Sequence, residues 1–472
     1  MIRGFRPRVA ILAAVAILFS LILILLVLQD RETGYLYALV PPDLGSQRHY
    51  GNDWAGADAN TDTDADDVNT THPIDELIVE AQLRHRQLLG KQSLTLRQAA
   101  SRYRERRGRH PPPGFDVWFA AATAAKAVVV EEFFDRIHHD INPFWGVDPA
   151  EMRRHAARQP FMIRVRGGKT DTDTEGEEPP YRVRQWAKLV AEMEPHIPDL
   201  DMFVNRVMYS GGAARGGPWH RKRNALIWRG VSSGARNKRH NWWHIHRFRF
   251  VQMLNGTTVA AAEAGDAARA NTFTLPPPGE KKYVYDIAAQ RAGRLGAWLR
   301  SFADVAFTDI LCDPPDMYTH WWKGTLRKKI CTMVEPYYGV ADELPMKKMY
   351  NHKYLPDIDG NSFSGRYRAF LLSSSMPLKS TIYAEWHDDR LVPWVHFVPF
   401  DNTYVDLYGI MDYFLRGRDA AAERIATDGK RWAETVLRRE DMRLYVWRLL
   451  LEYARVMDDN RDRLAFVQDL ID

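Results

Sequence analysis

At 472 residues the chain exceeds the roughly 250–300 residues at which one hydrophobic core stops growing, so at least two packed units are expected and a small disulfide scaffold is excluded. Apolar residues make up 45 % and aromatics 12 %, with 15 Trp, which excludes a largely disordered chain. Lys plus Arg exceeds Asp plus Glu by 65 − 60 = +5, a modest excess that suits phosphate-bearing or acidic ligands without requiring one.

Residues 1–8 carry Arg3, Arg6 and Arg8 and read as a cytosolic tail. Val9 to Leu28 are apolar apart from Ser20, long enough to cross a hydrocarbon core of roughly 30 Å. The run is longer than a cleaved signal and is followed by Gln29, Asp30 and Arg31, so 9–28 is expected to be a transmembrane signal anchor of type II topology. The body then lies in a lumen, which counts against nucleic-acid partners and makes Asn69 and Asn255 usable glycosylation acceptors. Cys312 and Cys331 are the only two cysteines; in an oxidising lumen they can close one loop, and they support no metal or redox motif.

Residues 29–73 are polar and aperiodic, the composition of a disordered stem. The acidic run Asp58 to Asp67 is no calcium loop, because Thr63 stands where glycine is required and Asn69 where a bidentate Glu is required. Helical patterning begins near Ile74, continues through Arg84 to Arg107 and stops at Pro111-Pro112-Pro113. Gly167 to Pro180 has the composition of an inserted surface loop. Beyond it, short apolar runs (Leu226–Trp228, Tyr283–Tyr285, Tyr354-Leu355, Val395–Val398) alternate with amphipathic stretches, which predicts a mainly parallel α/β sheet. Two helices are expected over 420–436 and 441–456, with Tyr445, Arg448, Leu449, Glu452 and Tyr453 at core spacing.

Three segments can carry chemistry. Lys353 to Arg366, KYLPDIDGNSFSGR, reads as a strand, a Gly/Ser turn and a helix start, the arrangement that cradles phosphate beyond a parallel sheet; a purely structural turn is the competing reading. In Leu226 to Asn237, LIWRGVSSGARN, Arg229 stands at a strand end beside Gly230, Ser232, Ser233 and Gly234, where a guanidinium fork suits a diphosphate. Thr381 to Phe400 holds Glu385, His387, Asp388 and Asp389, with Trp386 and Trp394 able to pack on a sugar or base. His244 and His246 share one face of an expected strand but lack a third zinc ligand. The Walker lysine and GxGxxG spacing are absent, which disfavours an NTPase or a nicotinamide dehydrogenase.

These segments, with RRGRHPPPGFDVWF, VVVEEFFDRIHHDINPFWGVDP, EWHDDRLVPWVHFVPFDNTYVDLYGIMDYF and RREDMRLYVWRLLLEYARVMDDNRDR, resemble the fungal capsule-associated, xylosyltransferase-like glycosyltransferases, relatives of the protein O-glucosyltransferases. The resemblance covers most of residues 97–467. It implies a GT-B-like α/β fold of two Rossmann-like lobes, an acceptor-side lobe over 74–209 and a donor lobe over 210–472. It also implies inverting transfer from a UDP-sugar, xylose preferred and glucose second, to a glycan or glycoprotein acceptor in the Golgi or ER. Carried over by residue, Arg229 and Arg366 would hold the diphosphate, Ser232, Asp359, Gly360, Ser362 and Ser364 would line the donor site, and Glu385 would reach the ribose or sugar. No tightly bound cofactor is implied, and the metal requirement stays open.

The chain departs from the family at one place. Asp201 to Asn205 runs almost directly into Tyr209-Ser210-Gly211-Gly212, with Met208 near the position of the family's acid, so the first lobe is expected to be shortened. The base that deprotonates the acceptor is therefore unassigned, with Asp201 and Asp140 the candidates and Asp135 and Asp199 beside them. Two functional readings follow: an active transferase, or a membrane-anchored UDP- or glycan-binding relative that lacks the base.

Overall fold

Among the described residues, helix and strand signals settle into two large hydrophobic cores and three small clusters. The structure is a computed structural model that describes residues 72–159, 162–173, 178–203, 216–277, 287–313, 316–319, 327–334 and 337–471. The membrane span at 9–28, the stem up to residue 71, the strand expected at 283–285 and the junction at Asn205–Gly212 lie outside the described residues. No described helix is long and apolar enough to cross a membrane.

The helical stretch expected over 74–107 is two helices. Pro73–Leu89 ends at Gly90, and Leu96–Arg107 restarts with the Thr95 hydroxyl accepting from the Gln98 amide. Gly108 ends the second helix in the left-handed region (φ 65°), ahead of the three prolines. Further helices follow at Phe115–Ala124, Asp135–Ile141, Pro149–Ala156 and Tyr181–Ala191. Among them lies a small antiparallel sheet of β1 (Met162–Arg166), β2 (Lys169–Asp173) and β3 (Leu200–Phe203), in the order β2-β1-β3. The surface loop expected from Gly167 onward is thus corrected: Gly167 and Gly168, both at positive φ, make a two-residue hairpin turn that pairs Arg166 with Lys169.

The second sheet is parallel throughout. It contains β4 (Arg223–Val231), β5 (Ala303–Asp309), β8 (His352–Ile358), β9 (Met376–Ser380) and β10 (Val398–Pro399), in the order β10-β9-β8-β4-β5. A separate hairpin joins β6 (Asp316–Thr319) to β7 (Arg327–Ile330). Every residue of β8 is buried, as both faces of a central parallel strand are covered. The expected strand at 395–398 survives only as β10, because the His396 ring accepts from the Val392 amide and holds the preceding residues in a turn.

The expectation of two Rossmann-like lobes is corrected. Among the described residues only the lobe around β4 and β8 is Rossmann-like; the other is helical with three short antiparallel strands. Parallel pairing needs a crossover of a dozen or more residues, and a Gly-Gly hairpin between β1 and β2 forbids one there. The cores also exchange elements across the expected 209/210 boundary. Ile74 and Ile78 pack into the core of the parallel sheet, whereas Leu444, Tyr445, Leu450 and Leu451 of the C-terminal helix Arg439–Val456 pack with Trp118 and Phe134 in the helical lobe. Residues 70–472 accordingly form one compact unit.

Candidate functional site

The chain runs outward from β4 to β5 on one side, then crosses back to β8 on the other, so β4 and β8 flank a topological switch point. In open parallel sheets ligands bind beyond the carboxyl ends of such strands. The two segments singled out by sequence meet there: the Gly234 amide donates to Asn361 Oδ1 at 2.9 Å, tying the turn after β4 to the turn after β8. Gly234 sits at φ +139°, and a Cβ there would lie 2.6 Å from His246 Cε1, so glycine is required on both counts.

Arg247, in the helix His246–Met253, clamps this junction. Its Nε donates to the Asp359 carbonyl at 2.7 Å, Nη1 to the Val231 carbonyl at 2.7 Å and to Ser233 Oγ at 2.8 Å, and Nη2 to the Ile358 carbonyl at 3.3 Å. Beside it, Arg366 Nη1 donates to the Arg229 carbonyl at 2.8 Å while Nη2 is buried with no hydrogen-bond partner. Both guanidinium carbons lie over the ring of Trp228, 5.5 Å and 5.6 Å from its centroid. Neither guanidinium has a carboxylate within 4 Å among the described residues. Burial, reinforced by the charge of Arg366, pushes Arg247 down to about 10. Burial also lowers the pKa of Arg366, against the opposing pull of Asp357. Two adjacent guanidinia, one buried and one half-buried, held by neutral acceptors are able to attract an anion.

The other predicted residues take varied places. Arg229 points away from Trp228, as successive strand residues must, and its guanidinium is spent on β5: Nη2 donates to Asp304 Oδ1 at 2.7 Å and Nη1 to the Asp304 carbonyl at 3.0 Å. The structure therefore brings Arg366 together with Arg247, not with the Arg229 side chain. Ser232 is fully buried, its Oγ accepting from the Leu311 amide at 2.8 Å and from Asn237 Nδ2 at 3.2 Å. The Asp359 carboxylate accepts from Thr381 Oγ1 at 2.7 Å and the Ile382 amide at 2.8 Å, fixing the segment after β9. Gly360 donates to the Ser362 carbonyl at 2.7 Å, and a Cβ on it would lie 3.3 Å from Arg247 Nη2. The Ser364 hydroxyl donates to Asp357, whose pKa burial raises against the pull of Lys379 and Arg366. Glu385 is buried, with Oε1 accepting from Lys379 Nζ at 3.3 Å and Oε2 3.4 Å from His387 Nε2.

The base candidates are all engaged. Asp201, on β3, accepts from Arg166 Nη2 at 2.8 Å through both oxygens. Asp140 accepts from Arg136 Nε at 2.9 Å on the same helix. Asp135 pairs with Arg106 and Arg107, and Asp199 accepts from the Gly167 amide at 2.8 Å. The histidine pair is corrected too: His244 ends a short 3-10 turn and His246 opens a helix, with Nε2 donating to the Asp359 carbonyl at 2.7 Å. Among the described residues no group of three or more His, Cys, Asp or Glu side chains can hold a metal ion. Cys312 and Cys331 form a disulfide beside Leu311.

Sequence reasoning missed Arg247 and Lys379 as parts of this junction. The signal for Arg247 was its position in the first turn of the helix that follows the Gly234 loop; for Lys379 it was a lone charge in the apolar run of β9.

Comparison with known proteins places the same segment in context. Residues 322–465 match the family described as Glycosyl transferase family 90, a span that includes β8, the Gly360–Arg366 turn and Glu385 but neither Arg229 nor Arg247. The O-glucosyltransferase rumi of Drosophila pseudoobscura pseudoobscura is 30 % identical over 135 residues, 27 % of this chain and 32 % of that protein. Protein O-glucosyltransferase 2 of Danio rerio is 30 % identical over 108 residues, 23 % of this chain and 21 % of that protein. Protein O-glucosyltransferase 1 of Homo sapiens is 26 % identical over 113 residues, 24 % of this chain and 29 % of that protein. The chain thus spans about a third or less of the length of these curated relatives.

Proposed function

We propose that this chain is a glycosyltransferase that takes its sugar from a UDP-sugar, xylose first and glucose second, and passes it with inversion to a glycan or glycoprotein. The diphosphate binds at the carboxyl ends of β4 and β8 against Arg366 and Arg247. The observation that carries this reading is the pair of guanidinia over Trp228, without a carboxylate partner among the described residues and with Arg366 Nη2 unsatisfied. The similarity of residues 322–465 to Glycosyl transferase family 90 supports the reaction class, and the names of the relatives support a protein-linked acceptor.

In this account the Asp359 carboxylate and the Ser364 hydroxyl shape the turn without touching the donor, while the backbone of Gly360 lets the diphosphate approach. Positive charge fixed before the reaction stabilises the departing UDP. The acceptor proton goes to a carboxylate; Asp201 and Asp140 remain the candidates, and each must part from its arginine to serve. That engagement is what favours the second reading, a UDP- or glycan-binding relative without the base. The Cys312–Cys331 disulfide fits a lumenal body, and the account places the chain in the Golgi or ER membrane as a single-pass type II protein with the span at 9–28.

The test is a calorimetric UDP titration of the full chain in detergent, with R366A, R247A and R229A. Loss of a charge-assisted contact of about 1.5–3 kcal/mol predicts roughly 10- to 150-fold weaker binding for R366A and R247A. R229A should stay within about threefold, since its guanidinium is taken by Asp304. Unchanged affinity in a folded R366A variant overturns the site assignment.

A further inference from the structure

Below the donor turn lies a buried chain of charges that the proposed transfer does not use. His387 is completely buried, with Nε2 3.4 Å from Glu385 Oε2 and Nδ1 3.2 Å from Asp388 Oδ1. Glu385 Oε1 accepts from Lys379 Nζ at 3.3 Å, and that ammonium lies 3.7 Å from Asp357 Oδ2. The other Asp357 oxygen accepts from the Ser364 hydroxyl. A second route runs through Tyr367, the residue after Arg366: its ring centroid is 3.8 Å from Lys379 Nζ and 5.6 Å from the His387 ring.

The arrangement sets the protonation of the ring. A neutral imidazole offers one N–H, yet carboxylates face both nitrogens of His387. Lys379 lies between Asp357 and Glu385 and offsets charge there, while Glu385 Oε2 and Asp388 Oδ1 both face the ring, where an imidazolium offsets them. A neutral ring leaves the buried Glu385 or the half-exposed Asp388 without its counter-charge, which is costly at the buried carboxylate. The groups about the ring are Glu385 and Asp388 on its own segment, Lys379 on β9, Asp357 on β8 and Tyr367 on the helix after the turn. The helix Asp419–Val436 contributes the apolar Ala433 and Val436 to the hydrophobic cluster that holds Tyr367.

We infer that His387 is a positioning residue for the donor turn: as an imidazolium between Glu385 and Asp388 it completes the charge chain that fixes Ser364 to Arg366, and donor affinity depends on its proton. The inference rests on the donor site proposed above. Burial lowers the proton affinity of the ring, but the Asp388 and Glu385 carboxylates beside its two nitrogens override it and raise the pKa above the ordinary value. The contribution is therefore present below the ordinary histidine range and is lost as pH rises through the raised value. Loss of the proton lowers the fraction of chains with a competent turn, and apparent affinity falls with that fraction.

The experiment is UDP titration of the full chain in detergent from pH 7 to 9, where the terminal phosphate, with a second pKa of about 6, is already ionised. Thermal melting at each pH establishes that the protein is folded. Wild-type affinity should fall by about threefold or more across the range, and H387Q should bind more weakly at pH 7 and show no such fall. D388N keeps the ring but removes one carboxylate, so the fall should move to lower pH; this variant decides the matter where H387Q does not fold. A wild-type pH profile retained in folded D388N or H387Q overturns the inference alone. Absence of UDP binding at every pH overturns the donor-site reading and, with it, the dependence proposed here.

Discussion

Replacing Cys312 and Cys331 together by Ser should destabilise the protein by an amount set by their separation. The disulfide closes a loop of 19 residues, for which loss of unfolded-chain entropy is worth about 3 kcal/mol at 25 °C. Unfolding entropy of about 2.1 cal/mol/K per residue over roughly 400 residues gives about 0.85 kcal/mol/K, so the midpoint should fall by about 4 °C. The loss has a local consequence as well. The Leu311 amide donates to Ser232 Oγ, and Asn237 Nδ2 donates to the Leu311 carbonyl at 2.6 Å, so the residue before Cys312 joins the ends of β4 and β5. Loosening it should weaken UDP binding by a few-fold, because the turn after β4 loses its outer support. The assay is differential scanning fluorimetry of wild type and C312S/C331S, with thiols titrated in denaturant before and after reduction. Two reactive thiols in the unreduced, denatured wild type would show the bond absent, and an unchanged midpoint in the double variant would refute the loop-closure argument.

Other outcomes follow from the same packing. G234A should lower stability by about 1–3 kcal/mol and weaken UDP binding, since the left-handed backbone and the 2.6 Å approach to His246 both exclude a Cβ; denaturant titration checks it. Glu452 is buried, accepting from Arg455 Nη2 at 2.6 Å and Tyr103 Oη at 3.0 Å, and E452Q should cost about 3–5 kcal/mol by leaving Arg455 without its counter-charge and Arg448 with Glu131 alone. Burial works against the Glu452 charge, but Arg455 and Arg448 outweigh it and hold the pKa at about 2. Its stabilisation is thus present above the ordinary carboxylate range and lost as pH falls toward 2, so the gap in melting temperature between wild type and E452Q should close over that window.

The parallel sheet and its phosphate-sized turn were legible because β4 and β8 are apolar runs that end in Gly, Ser and Asn. Arg366 followed from its place at the first helical turn after them. What the sequence hid was parity and distance. Trp228 and Arg229 are neighbours, but strand alternation sends them to opposite faces, and only the Trp228 face carries the guanidinium pair. Arg247 reaches Asp359 across 112 positions from a helix that resembles any basic surface helix. Glu385 and His387 read as ligand residues because charge in a loop signals exposure, whereas Lys379 supplies the buried counter-charge that lets them stay inside. Gly167-Gly168 is a hairpin-turn pair, but the acidic tail after it gave the whole segment the composition of a surface loop. The architecture of the first lobe rested on resemblance, and its described residues hold too few strands, joined too tightly, for a parallel sheet.

The account stands most directly on the diphosphate being what Arg366 and Arg247 bind. Calorimetric titration of the full chain with UDP, UMP and uridine measures this in one series, without an acceptor. Saturable UDP binding, with a stepwise loss of affinity to UMP and then uridine, is the predicted result. No UDP binding by the folded chain, or equal affinity for UDP and uridine, would contradict it.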